Sequence, residues 1–194
     1  SSRVVLIPVP VREDLFERAE KKKHDKITLL SIGQIKKRKG FEETIRALSL
    51  LERDVRLVIV GEVTNPKDKE FFEKIKNEAN VEFRGRVDHN LLPSVYSEAD
   101  IFVHSSYTEA LGLVIMEAML SKLPVIASET SGARYLVADK VTGCLVPVKD
   151  VNSLKEKIAK LADNPDLRES MGEAGYLRIK RILKKKKKKE NELW

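Results

Sequence analysis

The stretch 101-IFVHSSYTEALGLVIMEAML-120 joins an apolar run of strand length to a glycine-containing loop and then to a helical pattern. Ile101–Val103 is continuous and rich in β-formers, and Leu113–Leu120 is apolar over the length of a helix. The order of strand, loop and helix recurs along the chain. We therefore take this unit as the one that decides the fold.

Apolar runs of strand length and helical patterns alternate on both sides of this stretch. The further strand runs are Ile27–Ile32, Val55–Val60, Val81–Phe83, Pro124–Ala127 and Cys144–Val146. The helical patterns are the stripe Phe41, Ile45, Leu48 and Leu51, the group Phe71, Phe72 and Ile75, the segment Leu91 to Tyr96, and the stripe Leu154, Ile158 and Leu161, with Asp150 or Asn152 as its cap. Continuous apolar strands alternating with helices predict an α/β fold, a Rossmann-like doubly wound parallel sheet of about six strands with helices on both faces.

The composition limits the classes of protein that the chain can be. It has 194 residues, 42% of them hydrophobic, which suits one domain with a real core. No apolar stretch approaches the roughly 18–20 residues of a membrane span, and the start lacks the form of a signal peptide, so we expect a soluble intracellular protein. Cys144 is the single cysteine, and His24, His89 and His104 do not give a zinc spacing with it.

The positive charge is concentrated at the end of the chain. Lys184–Lys189 supply six of the seven excess charges, so the remaining sequence is nearly neutral. From about Arg178 the sequence is typical of a charged helix or a frayed tail. A solvated charge run is the first interpretation, weak attraction to an anionic membrane surface the second, and specific nucleic-acid binding is not expected because no aromatic residues are interleaved with the lysines.

The loop that follows Ile101–Val103 has the features of an anion site. A glycine at a helix start leaves backbone N–H groups free at the positive end of the helix dipole, which suits a diphosphate. Glu117 falls in the first or second turn, where its carboxylate can reach back toward the loop and accept hydroxyl hydrogen bonds, as from a ribose. Glu109 belongs to the loop and suits sugar hydroxyls or a developing positive charge. Alternatively, both are surface carboxylates favoured by the helix dipole.

The spacing Glu109-x7-Glu117 resembles the signature of the retaining GT-B glycosyltransferases often called family 4. The similarity extends over roughly residues 4 to 175, from the lead-in Val5–Phe16 onward. The other matching segments are Ile32–Gly40, Leu57–Gly61, Val81–Val87, Leu92–Val103, Leu123–Ala127 and Thr142–Pro147.

This resemblance implies a role for each matching residue. Glu109 would contact the donor sugar and, with Lys39 at the pyrophosphate, carry the catalysis, although Lys39 could instead be a solvated member of the basic run Lys36–Lys39. Glu117 would bind the nucleotide ribose, and no metal or other cofactor would be needed. The remaining donor-binding positions would be Gly33 and Gln34 in the first phosphate loop, Arg86 and Val87 beside the base, and Leu111, Gly112, Leu113 and Val114 along the pyrophosphate.

Some positions depart from the family pattern. Gln34 stands where a phosphate-binding arginine is usual, so donor affinity is expected to be weaker unless Lys36 or Arg38 compensates. Lys122 replaces a common glycine, and Arg134-Tyr135 replace a frequent Pro-Glu. These changes affect the expected details of the sugar pocket.

The resemblance covers only one half of a GT-B enzyme. Residues 1–177 would form the donor-binding domain, with 1–17 leading in from a missing N-terminal acceptor domain, and residues 178–194 would form a basic helix or tail with nothing to pack on. The domain would bind a nucleotide diphosphate sugar but transfer poorly alone. We expect a cytoplasmic location, with peripheral attachment to the inner membrane surface as the alternative.

Two other interpretations remain open at the level of sequence. Nucleotide-sugar epimerases and phosphorylases also use two such domains, although no pyridoxal-lysine motif of a phosphorylase is visible. A non-catalytic or designed scaffold with an anion-binding basic tail is the third interpretation.

Overall fold

A computed structural model describes residues 11–16, 25–75 and 80–191, with side chains as far as residue 185. The strands are β1 (Ile27–Ile32), β2 (Val55–Val60), β3 (Val81–Phe83), β4 (Ile101–His104), β5 (Val125–Ser128) and β6 (Gly143–Val146). The helices are α1 (Glu13–Phe16), α2 (Phe41–Ser49), α3 (Pro66–Ile75), α4 (Leu92–Ser97), α5 (Leu113–Leu120), α6 (Ser131–Leu136), α7 (Val151–Asp163) and α8 (Pro165–Asn191). Short 3-10 turns occupy Lys37–Lys39 and His89–Leu91.

The strands form one parallel sheet in the order β3-β2-β1-β4-β5-β6. The predicted doubly wound α/β fold is confirmed, and each predicted run overlaps a strand. Four boundaries in three strands differ by one residue: β4 extends to His104, β6 begins at Gly143, and β5 is shifted at both ends to Val125–Ser128. Pro124 cannot donate to a ladder because it lacks an N–H, and only its carbonyl oxygen takes part, accepting from Phe102 N at 3.0 Å.

Each face of the sheet carries its own hydrophobic core, because side chains alternate along every strand. Leu30 packs into the cluster on one face, together with buried side chains of α1, α4, α5, α6 and α8. Leu29 packs into the cluster on the other face, with those of α2, α3 and α7. Continuous apolar strands are thus explained by burial on both sides.

Details of the helix predictions need correction. α2 ends at Ser49, so Leu51 lies beyond it, and Leu91 belongs to the 3-10 turn before α4. Asp150 is the cap of α7: its side chain accepts from Ser153 N at 2.9 Å, whereas Asn152 lies inside the helix. A cap side chain must precede the first turn to reach its N–H groups, and only Asp150 does so.

Helix α8 begins well before the predicted charged end, at Pro165, and position 178 lies inside it. The expectation that this helix has nothing to pack on is wrong for its described part, since Ile179 and Leu183 are buried in the core that contains α5. Arg178 also donates to the carbonyl oxygens of Leu136 (2.6 Å) and Tyr135 (2.9 Å) at the end of α6. The side chains of Lys186–Lys189 lie outside the described residues, as do residues 1–10 and 17 of the predicted lead-in.

The sheet order creates a crevice at one position. The chain leaves β1 toward β2 and β3, then returns to form β4 on the opposite side of β1. The connections that follow β1 and β4 therefore run toward opposite sides of the sheet from its carboxyl edge, which is where doubly wound folds bind ligands. None of the helices in the described ranges is long and apolar enough to cross a membrane.

Candidate functional site

The loops after β1 and β4 touch each other at this crevice. The first loop closes with the turn Lys37–Lys39 and with Gly40 at φ 71°. A Cβ on Gly40 would come within 2.0 Å of the Ser105 carbonyl oxygen, so only glycine permits the contact. Ser105 Oγ donates to the Gly40 carbonyl oxygen at 2.5 Å, and Tyr107 N donates to that of Arg38 at 2.8 Å. These bonds fix the basic turn against the loop after β4.

Lys39 and Glu109 form an ion pair across the two loops. Lys39 Nζ lies 3.1 Å from Glu109 Oε2, and the two side chains are 16% and 19% exposed. The other oxygen, Oε1, accepts from Gly112 N at 3.1 Å. Both oxygens of the carboxylate are therefore held, one by the side chain of the first loop and the other by the backbone of its own loop.

Glu109 is strongly favoured in its ionised form. The His104 imidazole, the Gly112 N–H and the Lys39 ammonium together hold the pKa of its carboxyl well below the usual range, against an opposing effect of burial. Opposite charge and hydrogen bonding to the carboxylate both favour the charged state. Glu109 is consequently a fixed negative charge at the crevice.

His104 is a residue of this site that sequence reasoning missed. It is the last residue of β4, only 5% exposed, and its ring stacks on Phe102 with 6.4 Å between centroids. Its Nε2 lies 3.3 Å from Glu109 Oε2, but the geometry is not that of a hydrogen bond, so this nitrogen has no hydrogen-bond partner among the described residues. The sequence signal for it is a histidine directly after the apolar run Ile101–Val103, a position that the test for zinc spacing does not address.

The N-terminus of α5 points into the same loop. Gly112 caps the helix at φ 71° without a side-chain hydrogen bond. The N–H groups of Leu113 and Val114 lie in the first turn, where no intrahelical acceptor exists, and neither donates to another residue of the described chain. Free donors at the positive end of a helix dipole, with Lys39 held nearby by Glu109, form an arrangement suited to an anion.

Glu117 lies in the second turn of α5, within the range that the sequence predicts, but its present contacts lie toward α4. Tyr96 Oη donates to Oε2 at 2.9 Å, and His89 Nε2 lies 3.1 Å from Oε1. The side chain is 8% exposed, and burial raises the pKa of its carboxyl although both neighbours partly oppose the change. No hydrogen bond in the described chain joins Glu117 to Glu109. Glu109 lies in the loop before α5, and Glu117 lies within α5.

The remaining predicted residues contribute less to the contacts of the site. Gly33 N is bonded to the Val60 carbonyl oxygen at 2.9 Å, and Gln34 is exposed without a side-chain hydrogen bond to any described residue. Arg86 is exposed, 3.6 Å from Glu62, and Val87 packs against the core that contains Tyr96. The side chains of Leu111 and Leu113 are exposed, and Leu111 N donates to Glu109 Oε1 at 3.4 Å.

The first turn of α6 contacts the backbone of Glu109, which the sequence did not reveal. Gly132 N and Ser131 Oγ both donate to the Glu109 carbonyl oxygen, at 2.9 and 3.2 Å. A Cβ on Gly132 would come within 3.0 Å of the backbone of Ala110. This close packing holds Glu109 from its backbone as well as its side chain.

Across the described ranges no group of three or more His, Cys, Asp or Glu side chains is arranged to hold a metal ion. The expectation that the reaction needs no metal stays a prediction.

Comparison with known proteins identifies one family. Residues 12–178 match the family described as Glycosyl transferases group 1. The alpha-D-kanosaminyltransferase of Streptomyces kanamyceticus is 32% identical over 153 residues, which cover 77% of this chain and 40% of that protein. The chain spans about two fifths of the length of the curated relatives it matches.

Two solved structures show the same architecture. Sucrose-phosphate synthase from Thermosynechococcus elongatus has a TM-score of 0.82 and 28% identity, with 94% of this chain and 49% of that chain covered. The C-terminal domain of a group 1 glycosyl transferase from Francisella tularensis has a TM-score of 0.70 and 27% identity, with 90% and 93% covered. This chain is thus similar to one domain of such proteins over nearly its whole length.

Proposed function

Because the chain belongs to the glycosyl transferases of group 1, we propose that it is the donor-binding domain of a two-domain enzyme that uses a nucleotide diphosphate sugar. The reaction moves the sugar to an acceptor hydroxyl with its anomeric configuration retained, as in the family 4 enzymes. The acceptor would be bound by an N-terminal domain that the described chain does not include. Residues 1–177 would be the donor domain and residues 178–194 its basic end.

The observation that carries this proposal is the meeting of three features at one loop. Lys39 is held at the crevice, the N–H groups of Leu113 and Val114 have no acceptor among the described residues, and Glu109 is a fixed carboxylate in the same loop. A diphosphate carries charge that an ammonium and a helix N-terminus stabilise. The same groups would stabilise the charge that develops on the diphosphate as the bond to the sugar breaks.

The two glutamates would divide the rest of the donor. Glu109 lies in the loop between β4 and α5. It would accept hydrogen bonds from the sugar hydroxyls or balance the positive charge that develops on the anomeric carbon of the sugar. Glu117 is buried on α5 and would accept hydrogen bonds from the ribose hydroxyls. Each of its oxygens can accept a further hydrogen bond besides the one to Tyr96 or His89. Retention of configuration is supported by the likeness of the Glu109-x7-Glu117 spacing to the retaining enzymes.

Donor binding can be tested on this chain alone. We expect at least one member of a panel of nucleotide diphosphate sugars to raise the thermal midpoint, since a ligand of the folded state stabilises it by mass action. Lys39→Ala should weaken that ligand about tenfold or more in calorimetry, because a charge-assisted hydrogen bond to phosphate is lost.

Lys37→Ala is the matched control, because Lys37 is an exposed lysine in the same basic turn. Its affinity should stay within about twofold of the parent, a change below 0.5 kcal/mol. Equal losses in both variants would mean that the turn acts only as a diffuse positive charge. No binding of any nucleotide sugar at millimolar concentration would refute the proposed function.

A further inference from the structure

Lys39 has two competing partners, the diphosphate of the proposed donor and the carboxylate of Glu109. In the proposed function its ammonium contacts the diphosphate, yet in this structure it lies 3.1 Å from Glu109 Oε2 and is the only hydrogen-bond donor to that oxygen among the described residues. A diphosphate carries more negative charge than one carboxylate and competes with Glu109 for the ammonium. When Lys39 turns toward phosphate, Oε2 loses its hydrogen bond at a partly buried position, which is unfavourable.

His104 has a buried nitrogen that lacks a hydrogen-bond partner among the described residues. Its Nε2 is buried and without a hydrogen-bond partner in the described chain, although nearly all buried polar atoms of folded proteins have one. The nitrogen lies 3.3 Å from the same oxygen, Oε2, that Lys39 occupies. The ring is held in place by Phe102, against which it stacks within 10° of parallel. The two atoms are already within hydrogen-bond distance, so a change of orientation would complete the bond without a change of separation.

We infer that His104 is a positioning residue that takes over Glu109 Oε2 from Lys39 when the donor sugar binds. In this exchange Lys39 turns to the diphosphate and Nε2–H of His104 donates to Oε2, while Gly112 N keeps Oε1. Glu109 then stays fixed toward the sugar without its cation. The inference rests on the proposed function and adds a specific role for a buried group that donor binding alone does not explain.

The alternative role of His104 is purely structural, as a ring packed on Phe102. Two substitutions separate the roles. His104→Phe keeps an aromatic ring on Phe102 but removes the N–H donor, whereas His104→Gln loses the ring and keeps an N–H donor of similar reach. A packing role predicts that Phe is tolerated better than Gln in ligand binding, and a positioning role predicts the reverse.

The experiment compares two ligands, the nucleotide diphosphate sugar that binds the parent chain and the same nucleotide diphosphate without sugar. His104→Phe should weaken the sugar-bearing ligand about tenfold, the loss expected for one hydrogen bond to a charged group, and His104→Gln should restore most of that affinity. The ligand without sugar should bind both variants within about twofold of the parent, because water can reach Oε2 when no sugar covers it.

Ser128→Ala is the matched control. Ser128 Oγ is another buried polar atom without a partner among the described residues, also at the carboxyl end of its strand, on β5 beside β4. Its removal should leave both affinities unchanged, which would assign the effect of His104→Phe to the contact with Glu109.

Nuclear magnetic resonance gives a readout that a structural role would not move. With only three histidines in the chain, the ring nitrogens of His104 can be assigned by their loss in His104→Gln. The Nε2 signal should shift to that of a hydrogen-bonded N–H with the sugar-bearing ligand. An unchanged Nε2 signal, or full affinity of His104→Phe beside normal parent binding, would overturn the role of His104 alone. Absence of donor binding in the parent would overturn the proposed function together with it.

Discussion

At the scale of single residues, the site depends on one carboxylate held from three directions. Glu109 receives Lys39 and Gly112 N on its two oxygens, and its carbonyl oxygen receives Gly132 N and Ser131. Lys39 comes from the loop after β1, Gly112 from the loop of Glu109 itself, and Ser131 and Gly132 from the first turn of α6. Orientation of Glu109 therefore depends on three segments at the carboxyl edge of the sheet and not on its own loop alone.

The lowered pKa of Glu109 predicts a pH dependence of stability. Because the folded state favours the ionised form, the stabilisation is complete above the unfolded pKa of about 4.3 and is lost as the pH falls through and below that value. Glu109→Gln should therefore have a lower Tm than the parent at pH 6, and the difference should shrink by pH 3. A Tm difference that is the same at both pH values would show that the charge of Glu109 does not stabilise the fold.

The sequence identifies the residues of this site unevenly. Glu109 could be predicted from its place in the glycine-containing loop before a helix and from the Glu-x7-Glu spacing, and Lys39 from the family resemblance together with its place directly before Gly40. The only sequence signal for His104 is its place at the end of a buried strand, whereas Ser131 and Gly132 could not be predicted, because their roles depend on which strands become neighbours. That order is set by the packing of the helices on the sheet, and no local pattern encodes it.

At the scale of elements, strands were easier to predict than short helices. β1, β2, β4 and β5 are almost wholly buried apolar runs, so composition alone marks them, whereas the short edge strand β3 is only partly buried. α6 has six residues with only Ala133 and Leu136 as buried apolar side chains, and α8 carries widely spaced core residues such as Met171 and Ile179. Both helices depend on tertiary contacts, among them the bonds from Arg178 to the end of α6.

The start of α7 offers a test of helix capping. Asp150 accepts from Ser153 N and Ser153 Oγ, at 2.9 and 2.7 Å, whereas Asn152 lies within the first turn. Asp150→Ala should lower Tm by about 2–4 °C in a thermal melt, because an N-terminal N–H loses its acceptor. Asn152→Ala should leave Tm within about 1 °C, since alanine is a good helix former. Equal shifts would contradict the assignment of Asp150 as the cap.

At the scale of the whole molecule, two cores share one sheet. Ile158 of α7 and Ile179 of α8 are both fully buried, one in each cluster, and β1 contributes side chains to both. A sheet that is common to both cores couples them, so neither can be lost without exposing the other side of the same strands.

This coupling predicts a single unfolding transition. Ile158→Ala and Ile179→Ala should each cost about 2–5 kcal/mol and shift the same transition, followed by far-ultraviolet circular dichroism and tyrosine fluorescence. Leu177→Ala is the control on α8, because Leu177 is 47% exposed and its loss should cost much less. Two transitions, each sensitive to one substitution, would mean that the faces fold independently.

The pair Lys39 and Glu109 also bears on the order of events during folding. The two residues are 70 positions apart, and they meet only because β4 returns to lie beside β1. A growing chain therefore has to complete β2, β3 and their helices before it contains both members of the pair. Closing so long a span is entropically costly and slow. Ligand-binding competence should accordingly be among the last properties that a newly made or refolding chain acquires, so a donor added at timed intervals would mark the completion of the native state.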